Sequence, residues 1–362
     1  MKLLSNSEID RAEWSALVQA SATATWFQTP EAYDFFASQP DLFTPFVIGL
    51  SNNHSPLTTH YSSLRALCAG YVTVERNPIK QFLTRRAIII GGPVLADDAT
   101  DEEVSALMTA VKNLSSLQGR GGKRLHSLIH SFTHSLIHSP IFIETRNFND
   151  YSRWRTAFES AGFEYYPHLN FHIDTSSVEI VEANLGKSRK RDIKTTIRDG
   201  VTINEHPTSA QIHEYYMILK NLYTTKVKTP LFPESFFQSL AKHPDGRLLL
   251  TMYNNRVIGG TVCVELAGKC LYEWFVCGED GVYPHIFPSC YATYAGIRYA
   301  AEHSCSRFDM MGAGTPDEAY GVRDFKAKFG GTEVEHGRFL CVAKPLLYEF
   351  GKLGVKLLKK LK

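Results

Sequence analysis

Three apolar runs at 247–253, 256–266 and 270–277 are separated by gaps too short to hold a helix. Neighbouring strands joined this tightly pair as an antiparallel meander, and Asn254-Asn255 suits the type I′ turn of its first hairpin. A helical pattern at 288–303 follows, then a strand at 307–311. The first half of the chain has a related order. Helices at 8–20 and from Pro30 to Phe36 precede strands at 43–50, 66–74 and 86–90, a helix at 101–117 with an acidic first turn, and a strand at 141–145. The repetition predicts a mixed α/β (α+β) protein of two related domains, each with a mainly antiparallel sheet flanked by helices. We place the domains at 1–168, with insertions near 51–64 and 119–139, and at 169–345, followed by a helix at 346–362.

The net charge of 362 residues is only +2, so no whole-molecule field points to nucleic acid, and basic function must come from local patches. Seven cysteines are scattered without a CxxC pair, which predicts free buried thiols in a reducing compartment rather than disulfides or a zinc site. Early charges interrupt any signal peptide, and no run approaches the ~18 apolar residues of a membrane span. A cytoplasmic protein is expected. The stretch HSLIHSFTHSLIHS spaces His126, His130, His134 and His138 four apart. No carboxylate or cysteine accompanies them, so we read a surface insertion and expect no metal.

Two segments concentrate the chemistry. The stretch FDMMGAGTPDEAYGVRDFKAKFGG, 308–331, is a strand, a glycine turn and a basic-aromatic helix, and ligands collect where strands of α/β sheets end. The helix in LGKSRKRDIKTTIRDGVTI, 185–203, carries Arg191, Lys194 and Arg198 and ends at Gly200, a good left-handed cap. Lys226 and Lys228 add cations after the next helix. The tail PLLYEFGKLGVKLLKKLK is basic and amphipathic, suited either to an anionic membrane or to the protein's own surface.

Read in order, WFQTPEAY, IIIGGPVL, RDIKTTIRDGV, KTPLFPESFF, YEWFVCG, FDMMGAG and DFKAKFGG resemble the FemAB-like family over residues 25–345. These are tandem acyl-CoA N-acyltransferase (GNAT) folds of the type that builds peptidoglycan bridges. The histidine-rich insertion, and the lack of a long helical hairpin after the basic helix, depart from that pattern. The resemblance implies transfer of an aminoacyl or acyl group to an amine of a cell-wall or surface-glycan precursor. The donor would be aminoacyl-tRNA or acyl-CoA, with no resident cofactor. The acceptor would be a nucleotide-sugar or lipid-linked precursor, and the tail offers peripheral membrane contact. Two alternatives stand beside it: an acyl-CoA-dependent N- or O-acyltransferase of surface-polysaccharide synthesis, and an inactive tandem-GNAT binding protein.

By that resemblance Phe325 and Lys326 lie at the active site, the lysine suited to a phosphate or a developing oxyanion. Glu273 and Asp309 are the candidate acid/base carboxylates. Arg191, Lys194, Arg198, Lys226 and Lys228 are candidate phosphate contacts, and Trp274, Tyr320 and Arg323 candidate cleft residues. The segment 285–296 lacks the glycine-rich loop that holds CoA in single-domain GNAT enzymes, and Pro288 removes a donor there.

Overall fold

The computed structural model describes residues 1–52, 64–114 and 140–360. The four spaced histidines and most of the first insertion lie outside the described residues. The chain divides into two compact units, Met1–Pro167 with His336–Lys362, and His168–Glu335.

In the first unit the elements are β1 (Lys2–Ser5), α1 (Arg11–Ala20), α2 (Pro30–Ala37), β2 (Phe43–Ser51), β3 (Leu64–Thr73), α3 (Pro78–Thr84), β4 (Arg86–Gly91), β5 (Val94–Leu95), α4 (Asp101–Lys112), β6 (Phe142–Asn147), α5 (Arg155–Ser160) and β7 (Glu164–Tyr166). The sheet runs β1-β2-β3-β4-β6, then the late strand Arg338–Val342, then β7. Only β4 and β6 pair in parallel among its described strands, as a crossover helix requires. That helix is α4, started by the reciprocal Thr100/Glu103 capping box and burying Val104, Leu107, Met108 and Val111. The strand Arg338–Val342 pairs with β6 and β7. It was expected in the second domain, but its partners are strands of the first unit, a long-range pairing with no local signature.

The second unit contains β8 (Leu169–Asp174), α6 (Val178–Asn184), α7 (Lys187–Arg198), β9 (Thr202–Asn204), α8 (Ser209–Leu222), α9 (Glu234–Ala241), β10 (Gly246–Tyr253), β11 (Arg256–Leu266), β12 (Cys270–Gly278), α10 (Pro288–Glu302), β13 (Arg307–Asp309), α11 (Gly321–Ala327) and β14 (Thr332–Glu335); β15 (Arg338–Val342) and α12 (Pro345–Lys360) return to the first. Its sheet runs β14-β8-β13-β12-β11-β10-β9. The meander forms as expected, with Asn254 and Asn255 both left-handed at φ 49° and 60°. The parallel pair is β12–β13, crossed by α10. Both units therefore share an antiparallel run interrupted by one parallel strand–helix–strand crossover.

Residues of α10 pack with Leu271, Phe308, Ile193 and Phe329 in one buried cluster. All seven cysteines are free and buried. Among the described residues no helix is long and apolar enough to cross a membrane, and no group of three His, Cys, Asp or Glu is placed to hold a metal.

Candidate active site

The second unit centres its polar chemistry on Lys326. Its side chain is buried, 8% exposed, although lysine is almost never buried without partners. The ammonium donates to the carbonyls of Met310 and Gly312, the latter at 2.7 Å. An ammonium has three donors, so one remains for another acceptor. Burial pushes its pKa below the ordinary lysine value, with the charges of Glu273 and Asp309 pulling the other way.

The receiving carbonyls belong to a kink at the end of β13. Met310 N donates to Phe171 O and Ala313 N to Leu169 O, so Met311 and Gly312 bulge out between two rungs of pairing with β8. Both are left-handed, at φ 53° and 103°, and Met311 is strained there because it has a Cβ. The bulge donors are met by side chains: Met311 N by Asp309 Oδ1 at 2.8 Å and Gly312 N by Asn170 Oδ1 at 2.7 Å. Asn170 Nδ2 also donates to Asp309 Oδ1 at 2.7 Å, and His172 Nε2 lies 3.1 Å from Asp309 Oδ2.

Asp309 is fully buried, its Oδ1 accepting from Asn170 and from Met311 N and its Oδ2 facing His172 Nε2. Burial would raise its pKa, but the contacts from His172 and Asn170, with the Arg307 charge, hold it below the ordinary carboxylate value. Expected as an acid/base partner, it sits inside the fold as a carboxylate held in its charged form by these contacts.

Glu273 has the opposite character. It is 3% exposed on β12, its Oε1 accepts from Thr261 Oγ1 at 3.2 Å, and burial pushes its pKa up, opposed by the Lys326 charge. A carboxylate whose pKa is raised by burial is a stronger proton acceptor than an ordinary one. Trp274 follows it. Phe275 pairs with Val262 and Glu273 with Cys263, which leaves Trp274 as the extra residue of a bulge. Its ring packs on Phe236 and Phe275, at 5.2 and 5.8 Å between centroids, in an aromatic wall with Phe232.

The basic helix α7 is not a uniformly solvated face. Arg189 and Asp192 are buried, and the Arg189 guanidinium lies over Phe325 at 4.4 Å and Phe329 at 5.0 Å. It also donates to the Phe325 carbonyl at 3.4 Å. Phe325 is thus half-buried beneath an arginine, directly before Lys326 in α11. Gly330, at φ +82°, lets α11 end against α6, since a Cβ there would sit 2.1 Å from Asn184 O. Arg191, Lys194 and Arg198 remain exposed, Arg191 and Arg198 beside Asp192 and Asp199 at 3.0 Å. Lys226 and Lys228 are exposed at the π-helical turn Tyr223–Val227 that extends α8.

Tyr320 is 43% exposed at the start of α11. Arg323, expected to meet substrate, donates to the carbonyls of Ala313, Thr315 and Pro316 and so closes the glycine loop on itself. Asn170, His172, Thr261 and Arg189 were missed. For the first two a signal existed: LNFHID alternates, placing Asn170, His172 and Asp174 on one face of β8.

At the start of α10, where a phosphate-binding terminus would present free amides, Ser289 N donates to Asp280 Oδ1 at 3.1 Å and Phe287 N to Thr196 Oγ1 at 3.0 Å. An internal carboxylate already occupies this end.

Residues 250–356 match the FemAB family. The matched stretch holds Glu273, Asp309 and Lys326, and the match supports an acyl- or aminoacyltransferase. Its fold is similar to that of FemX at 12% identity, covering 97% of this chain and 99% of that one with a TM-score of 0.67. It is also similar to L-PGS from Bacillus licheniformis, at 12% identity, 95% and 96% coverage and TM-score 0.51. A tandem GNAT protein from the clavulanic acid biosynthesis pathway gives 8% identity, 94% and 98% coverage and TM-score 0.54. At such identities these structures speak for the tandem GNAT fold alone. No curated protein sequence matches the chain.

Proposed function

We propose that this FemAB-like chain transfers an aminoacyl or acyl group to an amine of a peptidoglycan or surface-glycan precursor, with the chemistry in the unit His168–Glu335. The observation that carries the reading is the Lys326 ammonium. It is withdrawn from water, pinned by two backbone carbonyls, and shares its electrostatic environment with a buried carboxyl of raised pKa. In the reaction the acceptor amine attacks the donor carbonyl, the new C–N bond forms, and negative charge develops on the carbonyl oxygen. The third N–H of Lys326 meets that charge in a dry site, where such stabilisation is strongest. Glu273 takes the proton released by the amine and returns it to the departing oxygen or sulfur, so that the donor leaves as an alcohol or thiol when the tetrahedral intermediate collapses. The exposed cations Arg191, Lys194, Arg198, Lys226 and Lys228 supply charge for a precursor diphosphate or for donor phosphates.

Aminoacyl-tRNA is the favoured donor, because Asp280 engages an amide at the start of α10 where a CoA pyrophosphate would bind. The basic tail is the segment for peripheral membrane contact. The deciding experiment supplies the full chain with charged tRNA or acyl-CoA, together with nucleotide-sugar and lipid-linked precursors, and weighs the acceptor by mass spectrometry. A mass gain from charged tRNA is expected. Gain from acyl-CoA alone overturns the choice of donor, and no gain from any donor by folded protein favours a binding role.

A further inference from the structure

We infer that Asn170, Asp309 and His172 form a positioning network whose task is to hold the two-carbonyl cradle of Lys326; this rests on the reading of Lys326 as the catalytic cation. The argument is one of hydrogen-bond direction. A two-residue bulge frees backbone donors and acceptors together, and burial makes each unpaired one costly. Here they are sorted. The N–H groups of Met311 and Gly312 go to Asp309 Oδ1 and Asn170 Oδ1, while the carbonyls of Met310 and Gly312 go to the Lys326 ammonium.

The side chains on the donor side are themselves tied. Asn170 Oδ1 accepts from both Gly312 N and Phe171 N at 2.7 and 2.8 Å, and its amide nitrogen donates to Asp309. His172 Nε2 faces the other oxygen of Asp309 at 3.1 Å. Asn170 and His172 sit two apart on β8, in register with β14 on one side and, at His172↔Asp309, with β13 on the other. The network is thus anchored to two strands that are each paired on both sides. It keeps Met311 left-handed against its steric preference and aims two carbonyls at one point. Without it the bulge relaxes, the carbonyls diverge, and the ammonium moves from the place where charge develops.

The test uses full-length protein with ε-13C-labelled lysine, the Lys326 resonance being assigned by its loss in Lys326→Met. In Asp309→Leu and His172→Phe, that resonance is expected to move to the position of solvated lysines. In the transfer assay above, kcat is expected to fall about 100-fold with the acceptor KM within threefold. Asp309→Asn and His172→Gln keep a polar atom in the same place and should recover at least tenfold of the respective loss. His172 retains some exposure, so its pair of variants decides the matter if Asp309→Leu does not fold. An unmoved Lys326 resonance in folded His172→Phe overturns the network. Full transfer by Lys326→Met overturns the catalytic reading alone, because the resonance arm does not depend on activity.

Discussion

Replacing Arg189 by methionine tests how the active-site helix is fixed. Methionine retains the aliphatic reach of arginine but removes the guanidinium between α7 and α11. Two aromatic faces then lose a desolvated cation at 4.4 and 5.0 Å, together worth about 1–2 kcal/mol. The Phe325 carbonyl loses a charged donor whose 3.4 Å length places it near the weak end, about 1 kcal/mol. Asp192 loses one partner at 3.4 Å but keeps Arg191 at 3.0 Å, so its penalty is about 1 kcal/mol instead of the ~3–5 kcal/mol of a stranded buried charge. The expected loss is therefore about 3–4 kcal/mol, summed from those cation–π, hydrogen-bond and ion-pair contributions. Urea denaturation followed by circular dichroism measures it, and hydrogen exchange should show Gly321–Ala327 opening before the meander does. Arg189→Lys keeps the charge without the planar stack and should lose about half as much. A loss below about 0.5 kcal/mol, the range of ordinary surface substitutions, would refute the idea that this arginine joins the two helices.

Because the charged forms of Lys326 and Glu273 are both disfavoured by burial, transfer should rise with pH through a Glu273 value above about 4.3. It should fall through a Lys326 value below about 10.4, giving a bell narrowed from both sides relative to the unperturbed pKa values. Lys326→Arg should carry the alkaline limb out of range; an unmoved limb in kcat/KM profiles assigns it to another group. Lys194→Glu with Arg198→Glu should leave stability within about 0.5 kcal/mol, since both sites are exposed, yet weaken acceptor or donor binding about tenfold at low salt and less at high salt. Equal affinity across a salt series would remove these cations from the site. In the first unit, Gln28→Leu strands the Ala69 N–H and the carbonyls of Ala69 and Ile90, now bonded at 2.8–2.9 Å, and should cost about 3–5 kcal/mol in a denaturant melt.

Legibility followed the range of the interaction. Periodicity and turn chemistry are local, so the meander, the asparagine turn, α4 with its acidic first turn and the glycine end of α7 could be read from the sequence. The strand Arg338–Val342 carries an equally clear apolar pattern, but pattern does not name a partner, and its partners lie about 170–200 residues earlier in the chain. The motif WFQTPEAY was legible as a family mark while its work was not. Gln28 bridges β3 and β4 through three buried bonds, which no spacing rule announces.

The candidate site shows the same division more sharply. A basic run on a helix looks like one cationic surface, yet Arg189 turns inward while Arg191, Lys194 and Arg198 turn out. Helical periodicity permits that split, and only the aromatic pair Phe325 and Phe329, over a hundred residues later, decides it. Lys326 was legible as a residue of interest and illegible as a buried one, because its burial depends on two carbonyls that a strained bulge supplies. Asp309 and Asn170 impose that bulge from neighbouring strands. The site is thus made by backbone groups that every sequence possesses, and what distinguishes this one is which side chains force them to converge.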